Sequence, residues 1–243
     1  MNKSKFNYFI YSKNIITSLF FIFPFILLYE SICFLYFKNS TYQVRNSADV
    51  VVRNFFDIFG PYSDYLYALT LSAILLFIYF INKSLKFKNV IEFKYLIIMF
   101  FEGILFGLLL VLLLNNINYI NTYNVDYQIG LLLNLYLSIG AGIWEEILFR
   151  LFIFTFIYKI IKYYVSIDFY NLFISVFLSS IIFSTFHYVG INSDIFNIHS
   201  FIIRFLGGVF LSLLFYYRGF GIASISHISY DFILTSLPLI YTN

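Results

Sequence analysis

Long apolar runs set the strongest limit on the fold of this chain. Seven runs have close to the roughly 20 residues that a helix needs to cross a bilayer, at 15–37, 64–81, 93–114, 128–158, 171–189, 199–217 and 220–241. The chain is 61% hydrophobic and only 11% charged, which excludes an ordinary soluble domain. Because lipid cannot hydrogen-bond to the backbone, segments that cross it must satisfy their own backbone groups. The sequence therefore predicts an all-α, polytopic membrane bundle of about seven transmembrane helices, forming a single domain over 1–243.

The longest connection, residues 38–63, has the pattern of an amphipathic helix. Its charged residues recur every four positions, at Arg45, Asp49, Arg53 and Asp57. Apolar residues alternate with them, and such a helix commonly lies in the membrane interface. We therefore predict that 38–63 is an extramembrane or interfacial connection.

The distribution of lysine and arginine predicts the orientation of the bundle. With a cytoplasmic N-terminus, the inner segments hold Lys3, Lys5, Lys13, Lys83, Lys86, Lys88, Lys94, Lys159, Lys162 and Arg218, and the outer segments hold Lys38, Arg45 and Arg53. This excess on the inner side favours a cytoplasmic N-terminus. We expect an integral protein of a bacterial plasma membrane. The net charge of +3 is small and spread along the loops, which gives no reason to expect a nucleic-acid partner.

Three charged residues interrupt the apolar run at 128–158. They are Glu145, Glu146 and Arg150. Charges inside a span are costly and usually functional. On an α-helix Glu146 and Arg150 share a face and can pair, while Glu145 is turned about 100° away and is left for chemistry. The alternative is that all three form a buried ion-pair cluster that holds two helices together.

The three histidines all lie in or beside the last three runs. His187 follows Phe183 by four residues, and His227 precedes Asp231 by four; the third is His199. On a helix Asp231 can orient the imidazole of His227. A histidine in a span can also be a packing residue. Three helices that each bring an ionisable group to the interior favour a common site.

These residues form three motifs in order, Glu-Glu-x-x-x-Arg, Phe-x-x-x-His and His-x-x-x-Asp. Together they resemble the CPBP family of intramembrane proteases. This family is related to the type II CAAX prenyl endopeptidase and to bacteriocin-processing and immunity (Abi-like) proteins. The resemblance covers about half of the chain, and it implies that 128–241 is a catalytic core.

The resemblance also implies roles for individual residues. It implies that Glu145 and His187 activate the attacking water of a peptide-bond hydrolysis. His227 and Asp231 occupy the positions that stabilise the oxyanion. The implied partners are a membrane-associated peptide or protein substrate and the bilayer. The substrate would be either a bacterial membrane-anchored or leader peptide or a prenylated segment.

The same resemblance makes Glu146 and Arg150 supporting residues, and it leaves Asp231 as a departure. The family motif commonly ends in Asn, and an ionised carboxylate cannot donate a hydrogen bond. Asp231 would then orient His227, ligate a metal or stay protonated.

The cofactor expectation has two alternatives, none or Zn. Two histidines with two carboxylates can hold zinc with an open position. The ligands would be Glu145, His187, His227 and Asp231. The metal-free glutamate mechanism is favoured.

The depths of these residues place a condition on the fold. Glu145 and His187 lie about 20 Å or more from the inner ends of their runs, whereas His227 lies about 10 Å from the turn at 218–221. The three side chains can meet only if this turn lies within the depth of the membrane, where irregular backbone can line a cavity.

Two other classes of function use the same residues. A proton-coupled carrier needs a buried relay of Glu, Arg and His, although the chain has no internal repeat. A non-catalytic immunity or scaffold protein would not need Glu145, His187 and His227 intact. The signatures His-Glu-x-x-His, Gly-x-Ser-Gly and Gly-x-Gly-Asp of other intramembrane proteases are absent from the sequence.

Three further ionisable residues lie in the runs outside the motifs. Glu30 and Glu102 either line a substrate entrance or hydrogen-bond to a neighbouring helix. Arg204 could pair with one of them or with a substrate carboxylate.

Overall fold

The computed structural model describes residues 8–37, 44–84, 92–115, 130–190 and 193–241, and within these ranges it contains helices and no strand. The helices are α1 Tyr8–Lys13, α2 Ile15–Tyr36, α3 Ser47–Asp57, α4 Ser63–Ser84, α5 Phe93–Asn115, α6 Leu131–Gly140, α7 Thr155–Tyr164, α8 Asp168–Phe186, α9 Ile198–Arg218 and α10 Phe220–Tyr241. Two π-helical segments, Ala141–Glu145 and Ile147–Phe154, join α6 to α7. The prediction of an all-helical fold is confirmed.

Four of the described helices are long and apolar enough to cross a membrane. They are α2, α5, α8 and α9. This confirms the prediction of an integral membrane protein with transmembrane helices. The count of seven spans stays a prediction, although α4, α10 and the continuous stretch from α6 to α7 lie where the other three were predicted.

Two glycines of α5 allow α10 to pack closely against it. A Cβ atom at Gly103 would lie 2.6 Å from Cγ2 of Ile225, and one at Gly107 would lie 2.7 Å from the carbonyl oxygen of Ser226. The Ser226 hydroxyl donates a hydrogen bond to the Gly103 carbonyl over 3.1 Å. Small residues four apart commonly allow such contacts between membrane helices. The contact fixes the depth of α10, and with it the depth of His227.

The first π-helical segment, Ala141–Glu145, packs against another face of α10. A Cβ atom at Gly142 would lie 2.4 Å from Cγ1 of Ile228 and 2.6 Å from its backbone nitrogen. π-helical turns are rare and occur frequently at functional sites. The close approach brings Glu145 and Glu146 beside His227.

The turn between α9 and α10 lies well short of the end of α7. Phe215, three residues before this turn, packs on Phe154, with the ring centroids 5.6 Å apart. Phe154 precedes Tyr164, the last residue of α7, by ten residues, which is about 15 Å of helix. The helix α10, which carries His227, therefore begins about 15 Å short of the end of α7. From there His227 lies at the level of Glu145, which is the condition that the sequence placed on the fold.

The contact between α5 and α10 can be tested by adding one methyl group. We expect Gly107→Ala to destabilise the folded protein by about 1–3 kcal/mol, because the new Cβ atom forces α10 to shift. Thermal unfolding in detergent measures the change. The control is Gly130→Ala, where a Cβ atom meets nothing within 4 Å. Equal unfolding temperatures for the two variants would contradict this packing.

Candidate active site

The predicted ion pair between Glu146 and Arg150 is present and fully enclosed. Arg150 Nη1 lies 2.8 Å from Glu146 Oε1, and both side chains are at most 1% exposed. The guanidinium also stacks on the ring of Phe183, 4.4 Å from its centroid, and its Nη2 donates to the Gly208 carbonyl over 3.4 Å. Arg150 therefore links the π-helical segment to α8 and α9.

Glu146 also holds His227. The Nδ1 atom of His227 lies 2.8 Å from Glu146 Oε1, and a carboxylate can only accept, so Nδ1 carries the hydrogen. Asp231, the orienting partner considered from the sequence, lies on the other side of the ring, with Oδ2 3.5 Å from Nε2. Sequence spacing identifies only partners on one helix. The pairing of Glu146 with His227, 81 residues apart, was not predicted for that reason.

Glu145 lies between two histidines. Its Oε2 atom is 3.9 Å from Nε2 of His187 and 3.9 Å from Nε2 of His227. His187 is the first residue after α8, and its Nδ1 lies 2.9 Å from the Phe183 carbonyl oxygen. That carbonyl can only accept, so Nδ1 carries a hydrogen and Nε2 faces Glu145. The structure thus brings the predicted Glu145, His187, His227 and Asp231 together.

The site is closed on one side and partly open on the other. The side chains of His187 and Asp231 are 23% and 27% exposed, whereas that of Glu145 is 8% exposed. The Glu146–Arg150 pair lies behind them and has no access to solvent. A substrate would therefore approach along His187 and Asp231.

A residue outside the motifs completes the surroundings of Glu145. Asn46 Nδ2 donates to Glu145 Oε1 over 2.8 Å. The same side chain caps α3, because its Oδ1 accepts from the backbone N–H of Ala48 over 2.9 Å. Asparagine before a helix is a recognisable N-cap signal. Nothing in the sequence indicates which carboxylate the amide reaches.

A partly buried ionic cluster attaches α3 to α2. Glu30 pairs with Arg45 at 3.3 Å and with Arg53 at 2.6 Å, and Asp49 pairs with each arginine at 2.9 Å. Burial alone would lower the pKa of both arginines, but the adjacent carboxylates outweigh it and the net pKa of each is raised. Glu30 therefore has the structural role that was one of its two alternatives.

Glu102 and Arg204 also have partners. Arg218 donates to both oxygens of Glu102, over 2.5 and 2.7 Å. The Tyr8 hydroxyl donates to the same carboxylate. Arg204 pairs with Asp194. Of the two alternatives for Arg204, the pairing with Glu30 or Glu102 is wrong, because Glu102 pairs with Arg218 at the end of α9.

Glu145 lies further from each of the two histidines than two ligands of one zinc ion lie from each other. Within the described ranges no group of three or more His, Cys, Asp or Glu residues could hold a metal ion. Two ligands at about 2.1 Å from one tetrahedral zinc stand roughly 3.4 Å apart. The gaps from Glu145 to His187 and His227 are both 3.9 Å. The expectation of either no cofactor or Zn stays a prediction.

A comparison with known families identifies part of the chain. Residues 127–233 match the family model described as type II CAAX prenyl endopeptidase Rce1-like. We call residues 127–233 the Rce1-like segment, after the family model to which they are similar. The match spans a little under half of the chain, contains all three motifs and confirms the resemblance to the CPBP family. The description of the matched model is that of an endopeptidase. Searches of curated proteins and of solved structures gave no significant match.

The buried ion pair of the Rce1-like segment can be tested by removing its cation. We expect Arg150→Ala to lower the amount of folded protein, because an unpaired buried carboxylate costs about 3–5 kcal/mol. Size-exclusion chromatography of detergent extracts measures that amount. The control is Lys162→Ala, since Lys162 and Asp168 form an exposed pair at 3.8 Å and such pairs contribute little. Normal accumulation and full activity of Arg150→Ala would contradict the supporting role.

Proposed function

We propose that this chain is an intramembrane endopeptidase whose attacking water is activated by Glu145 and His187. One observation carries the proposal. Glu145 Oε2 and His187 Nε2 are both hydrogen-bond acceptors, and they face each other across 3.9 Å. A water that donates two straight hydrogen bonds of about 2.8 Å separates its acceptors by roughly 4.4 Å, and modest bending of these bonds brings the acceptors to the observed distance. The gap therefore suits one water molecule, with one hydrogen directed to each side chain.

A water held in this way keeps its lone pairs for attack. As its oxygen bonds to the scissile carbonyl carbon, Glu145 accepts a proton and the carbonyl oxygen becomes an anion. When the carbon–nitrogen bond breaks, Glu145 returns the proton to the departing amine. One water is consumed, the products are a carboxylic acid and an amine, and Glu145 returns to its starting state.

His227 is positioned to support the anion. With both ring nitrogens protonated, Nδ1–H donates to Glu146 and Nε2–H can donate toward the developing charge. The site holds the carboxylates of Glu145, Glu146 and Asp231 but one arginine, so an added proton on His227 or Asp231 reduces the unbalanced buried charge. A protonated Asp231 can donate as the Asn of the family motif does.

The substrate follows from the family only as a class. We propose a membrane-associated peptide or protein, either a prenylated C-terminal segment or a bacterial membrane-anchored or leader peptide. The proposed location is a bacterial plasma membrane with the N-terminus in the cytoplasm. A carrier or a non-catalytic immunity protein would use the same buried charges without cleaving a peptide, so turnover separates these alternatives.

The role of Glu145 is tested by removing its basicity. We expect Glu145→Gln to fold and to lose about 10²- to 10⁴-fold in turnover, as for a lost general base. His187→Ala should lose a similar factor, and the double variant little more, because both residues act on one water. Cleavage of a membrane-embedded reporter peptide in liposomes measures the rates.

The matched control is Glu92→Gln, the same substitution at the start of α5, away from the site. It should cleave at the wild-type rate. Cleavage by Glu145→Gln at the wild-type rate would overturn the assignment and favour a carrier or an immunity protein.

Asp231→Asn tests the departure from the family motif. We expect this variant to keep its activity within about threefold, because Glu146 already orients His227 and an amide can donate as a protonated carboxyl does. Cleavage assays and elemental analysis of the same purified protein measure activity and bound zinc. If activity falls and the amount of bound zinc falls with it, Asp231 is instead a metal ligand.

A further inference from the structure

We infer that Asn46 is a positioning residue, which holds one oxygen of Glu145 so that the other faces the two histidines. Asn46 lies outside the Rce1-like segment at 127–233. The inference rests on the proposed function, because it assigns Asn46 to the same water-activating carboxylate.

The orientation of the Asn46 amide is fixed by the start of α3. Its Oδ1 is occupied as the N-cap acceptor of Ala48 N–H, so its Nδ2 must point the other way. There it meets Glu145 Oε1 at 2.8 Å. The backbone N–H of Asn46 also donates to the Tyr29 hydroxyl, over 3.4 Å. The N-cap hydrogen bond of α3 thus fixes the side-chain orientation in which Nδ2 points at the carboxylate of Glu145.

The segment that carries Asn46 is firmly attached to the bundle. The carbonyl of Val44 accepts from the Tyr136 hydroxyl over 2.7 Å, and the rings of Tyr136 and Tyr29 stack at 4.6 Å. A Cβ atom at Gly140 would lie 2.7 Å from the Tyr29 ring and 3.3 Å from the Cβ atom of Asn46. The absence of a side chain at Gly140 therefore gives Asn46 its path to Glu145.

The cluster of Glu30, Arg45, Asp49 and Arg53 fixes the rest of α3. Asp49 is one turn along the helix from Arg45 and has no exposed surface. Because both arginines bridge to Glu30 on α2, the start of α3 cannot rotate without breaking several partly buried ion pairs. These ion pairs attach the start of α3, and Asn46 with it, to α2.

A positioning donor matters because a carboxylate turns easily. The last torsion of a glutamate is broad and roughly two-fold, so Glu145 alone would not keep one oxygen aimed at the water. The hydrogen bond from Asn46 occupies Oε1, while Oε2 lies 3.9 Å from each histidine. Misplacing a catalytic group by about 1 Å can cost around 10²-fold in rate. The loss should appear in kcat, because Asn46 acts through Glu145 rather than on the substrate.

The test replaces the donor and keeps the helix cap. Asn46→Asp preserves the size and the N-cap acceptor but puts an oxygen against Glu145 in place of the N–H donor. Asn46→Ser keeps the cap without adding charge and cannot reach Glu145. We expect kcat for the reporter peptide to fall about tenfold or more in both variants, with KM within about threefold of wild type.

The matched control is Asn14→Asp. Asn14 caps α2 by accepting from the N–H of Ile16 over 2.8 Å and is exposed, so the same substitution alters a cap far from the site. It should leave kcat and KM unchanged. If Asn46→Asp does not accumulate as folded protein, Asn46→Ser decides the outcome.

The outcomes separate this inference from the proposed function. Wild-type kcat in both Asn46 variants, with Glu145→Gln inactive, overturns the positioning role and leaves the proposed function intact. Wild-type cleavage by Glu145→Gln, or no cleavage by the wild type, overturns the proposed function and the positioning role with it. A larger KM at unchanged kcat also overturns positioning, because it places Asn46 in substrate binding.

Discussion

A buried carboxylate must find its partners inside the protein, because lipid offers it none. The Oε1 atom of Glu146 has two such partners, the guanidinium of Arg150 and the Nδ1–H of His227, each at 2.8 Å. Arg150 extends the network to α8 and α9. Four helical segments thus depend on one enclosed charge. This network fixes the positions of the groups that we assign to chemistry and takes no part in proton transfer itself.

The backbone geometry allows two adjacent glutamates to act on the same histidine. In an α-helix, neighbouring side chains diverge by about 100°, and the wider turn of a π-helix reduces that divergence. Glu146 contacts Nδ1 of His227, and Glu145 faces Nε2. The glycines of α5 and the π-helical segment then allow α10 to approach closely enough for both contacts. Packing of small residues and placement of charge are therefore parts of one arrangement.

The sequence predicted what depends on local spacing. The membrane class follows from apolar length, and the Glu146–Arg150 pair follows from a separation of four residues. Contacts between distant helices were not accessible in this way. The amide of Asn46 meets a glutamate 99 residues away, and a π-helix leaves no periodic pattern that would have revealed it. Asp231 was the only carboxylate on the same helix as His227, so the sequence could not indicate that Glu146 would be the closer partner.

The most direct test of water activation by Glu145 follows the oxygen atoms. A single turnover with excess enzyme in ¹⁸O-labelled water, followed by mass spectrometry of product and protein, tests for attack by the carboxylate itself, because water that opens the resulting anhydride at Glu145 labels the protein. Direct attack places the label in the new carboxyl group of the product and leaves Glu145 unlabelled. Label in the carboxylate of Glu145 would show a covalent acyl intermediate and would contradict its role as a general base.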